Sequence, residues 1–308
     1  MNIDKPLVSF DYAIKYLLKD KGDYGIVEGF ISALLKTKGY SDVKIVSLLE
    51  TESNKEDPKD KRSIADLIVE DVNHNKYIIE IERNVKNSFI HKACFNTSRL
   101  IVDNLAQRED YTQIVKVFHI SLLYFSIDQG AGSRAGTIYH GKTIIHEIET
   151  NERLSVHLKN QETNEVFDAT DILPEYFFIS VPNFNDRLID EIDDWLYVMK
   201  HDNVPKTFHS PYMSQVAEKL SILKMSKDER AEYTYYLKKV YNDRDELQAA
   251  ESRGIEKGKA EGKAEGEANK ARKVALKMLA KNKPDDEILE FSGITPDELA
   301  ELKQNINT

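Results

Sequence analysis

Three acidic residues stand at positions of a predicted β-hairpin where they can act together. Two runs rich in β-branched and apolar residues are separated by a short polar stretch around Asn73, a pattern that predicts two antiparallel strands. Pairing that is symmetric about Asn73 places Asp66 directly opposite Glu80. Because residues i and i+2 of a strand share a face, Glu82 lies on the same side. The spacing therefore predicts that three carboxylates converge on one face of the hairpin.

Neighbouring carboxylates need positive charge or protons close by. Holding three of them within a largely apolar sheet costs several kcal/mol unless something compensates their charge. A divalent metal is the natural compensation, and hard oxygen donors suit Mg²⁺ or Mn²⁺. The spacing alone also fits exposed acids on an outer strand. Apolar residues on both faces of these strands, among them Ile68, Ile78, Ile79 and Ile81, favour a sheet that is covered on both sides.

The surrounding pattern predicts the elements that position these carboxylates. Helical spacing of apolar residues begins near Phe10, continues past a break at Gly22, and ends at Gly39. Three short strand-like runs come next, followed by a helical segment and a long apolar run suited to a buried strand. The predicted strands are 43–49, 63–70, 76–82 and 116–127, and the helix between the last two is 88–105. The order is helix, three strands, helix, strand.

This order, with Asp on the second strand and a Glu-x-(Glu/Lys/Gln) motif on the third, resembles the core of the PD-(D/E)XK nucleases. Within that group the chain is similar to the Rpn-type recombination-promoting nucleases, also described as PD-(D/E)XK family transposases. The resemblance rests on the order of several segments and covers most of the chain. They are FDYAIKYLL at Phe10, KRSIADLIVED at Lys61, YIIEIE at Tyr77, HKACFNTSRL at His91, DEIDDWLYVMK at Asp190 and GIEKGKAEGKAEG at Gly254.

The resemblance implies a fold, a reaction and a set of site residues. The fold is α/β: a restriction-endonuclease-like core with a mixed sheet flanked by helices, then a C-terminal helical region and an extended helical tail. The function is Mg²⁺-dependent endonuclease cleavage of DNA phosphodiester bonds, linked to recombination or transposition, with Mn²⁺ as an alternative ion. Asp66 and Glu80 are implied as metal ligands, with the backbone carbonyl of Ile81 as a third. Asp11 matches an N-terminal acid of the family pattern and is a weaker candidate ligand, and Glu28 is weaker still.

The third motif position departs from the family pattern. Most nucleases of this fold carry Lys there and this family commonly carries Gln, whereas this chain has Glu82. Lys would stabilise the negative charge that develops on the phosphate, and Glu cannot. Glu82 is therefore predicted to act as a general base for water or to hold a second metal ion. The competing hypothesis is a catalytically inactive member that keeps the fold as a DNA- or protein-binding module.

A second departure lies on the helix after the motif, where the family usually has Arg and this chain has Lys92. Lys92 and Arg99 are seven residues apart and so lie on one helix face, where they could hold DNA phosphates. Lys lacks the bidentate grip of Arg. An ordinary solvated basic face explains the same spacing equally well.

Changes in composition divide the chain. We expect a nuclease-like domain over residues 1–180, a helical region over 181–248 and a Gly/Lys/Glu-rich helical tail over 249–308. Glycine recurs in the tail every four residues from Gly254 to Gly266, and because glycine costs about 1 kcal/mol per helical position the tail is predicted to be at best a frayed, solvated helix. Its basic block suits a nonspecific DNA arm or, more readily, an extension for spacing or self-association into a homo-oligomer.

Composition excludes several protein classes. The 308 residues are 41% hydrophobic and 31% charged, which is too apolar for a wholly disordered chain. The net charge of −10 argues against a protein that coats nucleic acid, although a local basic surface is still allowed. We expect no membrane span, because no apolar stretch is long enough. The start carries no secretory signal and the single Cys94 cannot form an internal disulfide, so we expect a cytoplasmic protein.

Overall fold

The structure, a computed structural model, describes residues 9–13, 24–49, 66–85, 88–105, 111, 114–127, 135–159, 166–222 and 225–306. The chain divides into two compact units, Met1–Tyr236 and Leu237–Thr308. The boundary expected after residue 180 falls inside the first unit, and the one expected after residue 248 falls inside the second. Within the described ranges, no helix is both long enough and apolar enough to cross a membrane.

The first unit is built around a mixed six-stranded sheet that is flanked by helices. Its strands and the accompanying hairpin are β1 Ile45–Leu49, β2 Leu67–Asp71, β3 Lys76–Glu82, β4 Val117–Leu123, β5 Ile138–Lys142, β6 His157–Lys159, β7 Val166–Asp168 and β8 Glu175–Ser180. Its helices are α1 Phe10–Tyr12, α2 Gly25–Lys36, α3 Phe89–Leu105, α4 Glu191–His201 and α5 Met213–Lys219. The sheet order is β1-β2-β3-β4-β8-β5, and β6 pairs with β7 alone. The predicted restriction-endonuclease-like architecture, with C-terminal helices after it, is confirmed.

Strand directions change in the middle of this sheet. β1, β2 and β3 are antiparallel neighbours, whereas β3, β4 and β8 run parallel to one another. The hairpin has the predicted register, with Leu67 opposite Ile79 and Glu70 opposite Lys76. The ladder begins at Leu67, one residue after Asp66, and the predicted strand start at residues 63–65 lies outside the described residues. The short turn thus aligns the two strands as their sequence pattern predicts.

The central strands are covered on both faces. Every residue of β3 and of β4 is buried. α3 lies on the face that holds the even-numbered residues of β3, since Phe89 packs against Phe178 with ring centroids 5.5 Å apart and Asn96 contacts Glu80. Glu80 and Glu82 are only 2% and 7% exposed. The alternative of exposed acids on an outer strand is therefore wrong.

The second unit is helical. α6 (Lys227–Leu279) enters it from the first unit, and α7 (Asp285–Ser292) and α8 (Pro296–Ile306) follow. Its apolar cluster is small and consists of Ala275, Ile288, Ile294, Leu299 and Leu302. The predicted capping box opens α8, because Thr295 N–H donates to Glu298 Oε2 at 2.7 Å and Glu298 N–H donates to Thr295 Oγ1 at 3.3 Å. α6 runs unbroken through Gly254 and Gly266 where a frayed helix was expected, and both glycines are exposed, so the helix is solvated there as predicted.

Candidate active site

Two of the predicted acids, Glu80 and Glu82, lie near the carboxyl end of β3. They project from the same face, and their neighbour in the sheet is the parallel strand β4. The third acid, Asp66, stands just before β2, where its Oδ2 accepts a hydrogen bond from the backbone N–H of Ile81 at 2.7 Å. Asp66 thereby closes the end of the hairpin beside both glutamates. In open α/β sheets, ligands bind beyond the carboxyl ends of parallel strands, which is where these acids gather.

Helix α3 supplies two polar side chains to the same place. Lys92 Nζ lies 2.5 Å from Glu80 Oε2 and 2.6 Å from Glu82 Oε1. One turn further along, Asn96 Nδ2 donates to Glu80 Oε1 at 2.5 Å. Residues four apart share a helix face, so both side chains reach the sheet together. Asn96 was not among the predicted site residues, and its spacing from Lys92 is the only sequence signal that points to it.

The electrostatics of this cluster centre on Glu80. Burial raises the pKa of Glu80, and the negative charges of Asp66 and Glu82 raise it further, while Lys92 opposes both effects. Burial alone would lower the pKa of Lys92, but its hydrogen bonds to the two glutamates outweigh burial and raise that pKa above its usual value. At Glu80, burial and like charge therefore outweigh the ammonium of Lys92.

The donor atoms match a hard divalent cation in kind, because Mg²⁺ prefers carboxylate and carbonyl oxygens. The excess negative charge around Glu80 is a second feature that such an ion would relieve. The arrangement itself is held by Lys92, on whose Nζ the two glutamates converge. Among the residues that the structure describes, no three His, Cys, Asp or Glu side chains are gathered closely enough to hold a metal ion. The residues fit the ion chemically, and admitting it requires Lys92 to move.

The contacts described for Asp11 are to residues other than these acids. Asp11 is fully buried, and its Oδ2 lies 2.6 Å from Arg83 Nη2 and accepts a hydrogen bond from the Tyr236 hydroxyl. Arg83 also stacks over the Tyr124 ring, 4.6 Å from its centroid. The contacts described for Asp11 thus join the first helix, the end of β3 and the start of α6. They suit a structural ion pair better than a metal ligand.

Glu28 and Arg99 are also engaged elsewhere. Glu28 Oε2 accepts the backbone N–H of Ile45 at 2.8 Å, and its Oε1 lies 3.1 Å from Lys44 Nζ, so Glu28 ties α2 to the start of β1. Arg99 Nε lies 3.5 Å from Asp103 Oδ2 on the same helix. Lys92 and Arg99 therefore have different surroundings, because Lys92 turns toward the carboxylates and Arg99 pairs along α3.

Comparison with known proteins places the chain among nucleases of this architecture. A family model described as PD-(D/E)XK nuclease family transposase matches residues 8–250, which include the whole sheet and the Asp66, Glu80 and Glu82 cluster. No curated protein matches the chain, and no solved structure does.

Proposed function

The chain belongs to the PD-(D/E)XK nuclease family transposases, and we propose that it is a Mg²⁺-dependent DNA endonuclease that acts in recombination or transposition. Family membership supports a nuclease or transposase-related role. The observation that supports the finer proposal is that buried Glu80, near the carboxyl end of β3 in a sheet covered on both faces, feels the negative charges of both Asp66 and Glu82. Buried excess charge of this kind is costly for stability and is characteristic of functional sites.

In this proposal Asp66, Glu80 and the backbone carbonyl of Ile81 hold the ion, and Mn²⁺ can replace Mg²⁺. The bound ion would lower the pKa of a coordinated water and offset charge on the phosphate oxygens. Asn96 keeps Glu80 in one orientation through its 2.5 Å hydrogen bond. Asp66 holds the Ile81 peptide in place through the 2.7 Å bond to its N–H.

Glu82 is proposed to accept a proton from the attacking water or to orient that water by a hydrogen bond. It lies on the same face as Glu80 and is within reach of the same lysine ammonium. DNA is the proposed substrate, and Arg99, on the partly exposed side of α3, is a candidate contact for its phosphates.

Supercoiled plasmid, nicked by the purified full chain with and without Mg²⁺, tests the proposal. Asp66→Asn and Glu80→Gln keep the side-chain shape and remove the charge, and each is expected to lower cleavage by a factor of about 10² to 10⁴. Glu70→Gln is the matched control, since Glu70 lies on the same face at the other end of the hairpin and pairs with His74. Cleavage that survives in both site variants would assign the activity to other residues or to a contaminant.

The second candidate function is a non-catalytic module that binds DNA or protein. It is favoured by the Lys92 ammonium between Glu80 and Glu82 and by the acid at the third motif position. Under this alternative the wild-type chain shifts DNA in a binding assay but leaves plasmid intact in Mg²⁺ and in Mn²⁺. That result would overturn the endonuclease proposal while leaving the fold assignment untouched.

A further inference from the structure

We infer that Lys92 is an internal counter-ion that takes the place of the metal between Glu80 and Glu82, so that metal binding and Lys92 exclude each other. This inference rests on the proposed metal site. It gives Lys92 a role different from a contact to DNA phosphate. The site would then exist in two states, one closed on the lysine ammonium and one holding the divalent ion.

Lys92 already occupies the space between the two glutamates. Its Nζ lies 2.5 Å and 2.6 Å from oxygens of two different glutamates, whose side chains are 2% and 8% exposed. Both are close contacts between opposite charges, and the one to Glu82 is a charge-assisted hydrogen bond. A cation that already bridges two buried carboxylates at such distances leaves no room for a second cation between the same oxygens.

Charge carries the second step. The Lys92 ammonium carries one positive charge and contacts two carboxylates, those of Glu80 and Glu82. Burial and the charges of Asp66 and Glu82 act against the ionised form of Glu80 even with Lys92 present. A divalent ion in the place of the ammonium brings twice the positive charge to the same oxygens.

The geometry of α3 carries the third step, because Lys92 can leave without disturbing its surroundings. The Lys92 side chain is 36% exposed and stands on a flexible stem near the start of α3. Asn96 is buried and bonds to the other oxygen of Glu80. If Lys92 swings toward solvent, Asn96 still holds Glu80, so a change of one side chain suffices.

If Lys92 competes with the metal, its removal should change the metal affinity in the opposite direction from that expected if Lys92 supports the metal ligands. Removing a residue that merely supports metal ligands usually weakens metal affinity by about 10- to 100-fold. Removing an internal competitor strengthens it. The sign of the change therefore separates the inference from a supporting role, and neither DNA nor cleavage is needed to measure it.

The test is a calorimetric titration of the full chain with Mn²⁺ alone, in wild type, Lys92→Met and Arg99→Met. We expect Lys92→Met to bind Mn²⁺ more tightly by about tenfold, on the scale of neighbouring-residue effects on metal affinity. Arg99→Met, which removes a cation from the same helix, should bind as the wild type does. Without metal, the melting temperature of Lys92→Met should be lower than that of the wild type. Mn²⁺ should raise the melting temperature of Lys92→Met by more than it raises that of the wild type.

A second pair of variants covers the case in which Lys92→Met does not fold. Glu82→Gln removes one carboxylate. The double variant Glu82→Gln with Lys92→Met removes one carboxylate and the ammonium together, so it leaves less unpaired charge than Lys92→Met alone. The double variant should bind Mn²⁺ more tightly than Glu82→Gln alone. Equal or weaker binding in this pair would overturn the inference, as it would in the first pair.

The outcomes distinguish failure of the inference from failure of the proposed function. If the wild type binds Mn²⁺ and Lys92→Met binds it no more tightly, the inference is wrong and the metal site stands. If neither protein binds Mn²⁺ at millimolar concentration, the metal site itself is wrong and the inference fails with it.

Discussion

Two buried glutamates stand at opposite ends of the parallel strands and show how differently this fold treats the same residue. Glu80 lies near the carboxyl end of β3, and Glu175 is the first residue of β8. Their exposures are 2% and 0%, and each is contacted by a lysine ammonium. Burial alone therefore does not distinguish them.

The surroundings of Glu175 satisfy its charge. Its carboxylate accepts hydrogen bonds from Tyr40 Oη at 2.6 Å, Lys116 Nζ at 2.9 Å and His140 Nε2 at 2.9 Å, and a second lysine, Lys142, lies 3.3 Å away. Burial by itself would raise the pKa of Glu175, but these hydrogen bonds outweigh it and lower that pKa to about 2. Glu175 is thus a structural anion that joins the end of α2, β4 and β5 at one end of the sheet.

At Glu80 the effects that raise the carboxyl pKa outweigh those that lower it. Its neighbours include two further carboxylates, and burial together with their charge raises its pKa despite Lys92. A satisfied carboxylate contributes to stability, whereas one that is crowded by like charge costs stability and is retained for another reason. The two carboxylates are equally buried but their pKa values shift in opposite directions, and the raised pKa of Glu80 agrees with the site proposed at its end of the sheet.

The largest expected effect is on cleavage, and it separates Glu80 from its neighbour Glu82. Glu80→Gln should lower the single-turnover rate by about 10² to 10⁴, because a neutral amide is a poor metal ligand, whereas Glu82→Gln should largely keep the rate. Gln at position 82 retains an acceptor oxygen and restores the residue common in the family. Equal and severe losses in both variants would make Glu82 a full catalytic carboxylate.

The next effect is on stability and has opposite signs at the two ends. Glu175→Gln should lower the free energy of unfolding of the first unit by about 3 kcal/mol, because it leaves Lys116 without its buried partner. Glu80→Gln should leave that free energy unchanged or raise it. Urea denaturation followed by fluorescence of Trp195, the single tryptophan and fully buried in the first unit, measures both. Destabilisation by both variants would show that Glu80, like Glu175, stabilises the folded state.

The pH dependence of stability gives a third effect. In the folded chain the pKa of Glu175 is lowered from its usual 4.5 to about 2, so the folded state holds the proton less well than the unfolded state. The stabilisation from Glu175 is therefore complete above pH 4.5 and is lost as the pH falls from 4.5 toward 2. Trp195 fluorescence during acid titration of wild type and Glu175→Gln should show a shallower loss in the variant. Parallel curves would mean that Glu175 titrates normally.

The smallest effect concerns Lys142, the more exposed of the two lysines that contact Glu175. Lys142 Nζ lies 3.3 Å from Glu175 and 3.0 Å from Asp171, and its side chain is 25% exposed, whereas that of Lys116 is 10% exposed. Lys142→Met should lower the free energy of unfolding by at most about 1 kcal/mol, and Lys116→Met should cost more. The same urea measurement ranks the two lysines. The reverse ranking would show that Lys142 is the main partner of Glu175.

The register of the hairpin was predictable from the sequence because it depends on local relations. Alternation along each strand and a short turn around Asn73 align Leu67 with Ile79, and Asp66, one residue before this ladder, accepts the backbone N–H of Ile81. The covered sheet followed from apolar residues on both faces. The order of elements and the family resemblance agreed with this reading.

Contacts between distant segments depended on tertiary structure. Helical spacing placed Lys92 and Arg99 on one face of α3, but only the packing of α3 on the sheet turns Lys92 toward Glu80 and brings Asn96 with it. Glu175 likewise meets Tyr40, which is 135 residues away in the chain. Asp11 was a weaker candidate ligand on the family resemblance, and packing sets its Oδ2 against Arg83.

The physical reason is that periodicity carries one-dimensional information. A period of two or of 3.6 tells which side chains share a face, and the short turn of a hairpin adds the register. It does not tell which face of which other element lies opposite, because that depends on how the whole core packs. The sequence by itself determined that Glu80 and Glu82 share one face of β3, and tertiary structure decided that the ammonium of Lys92 contacts both.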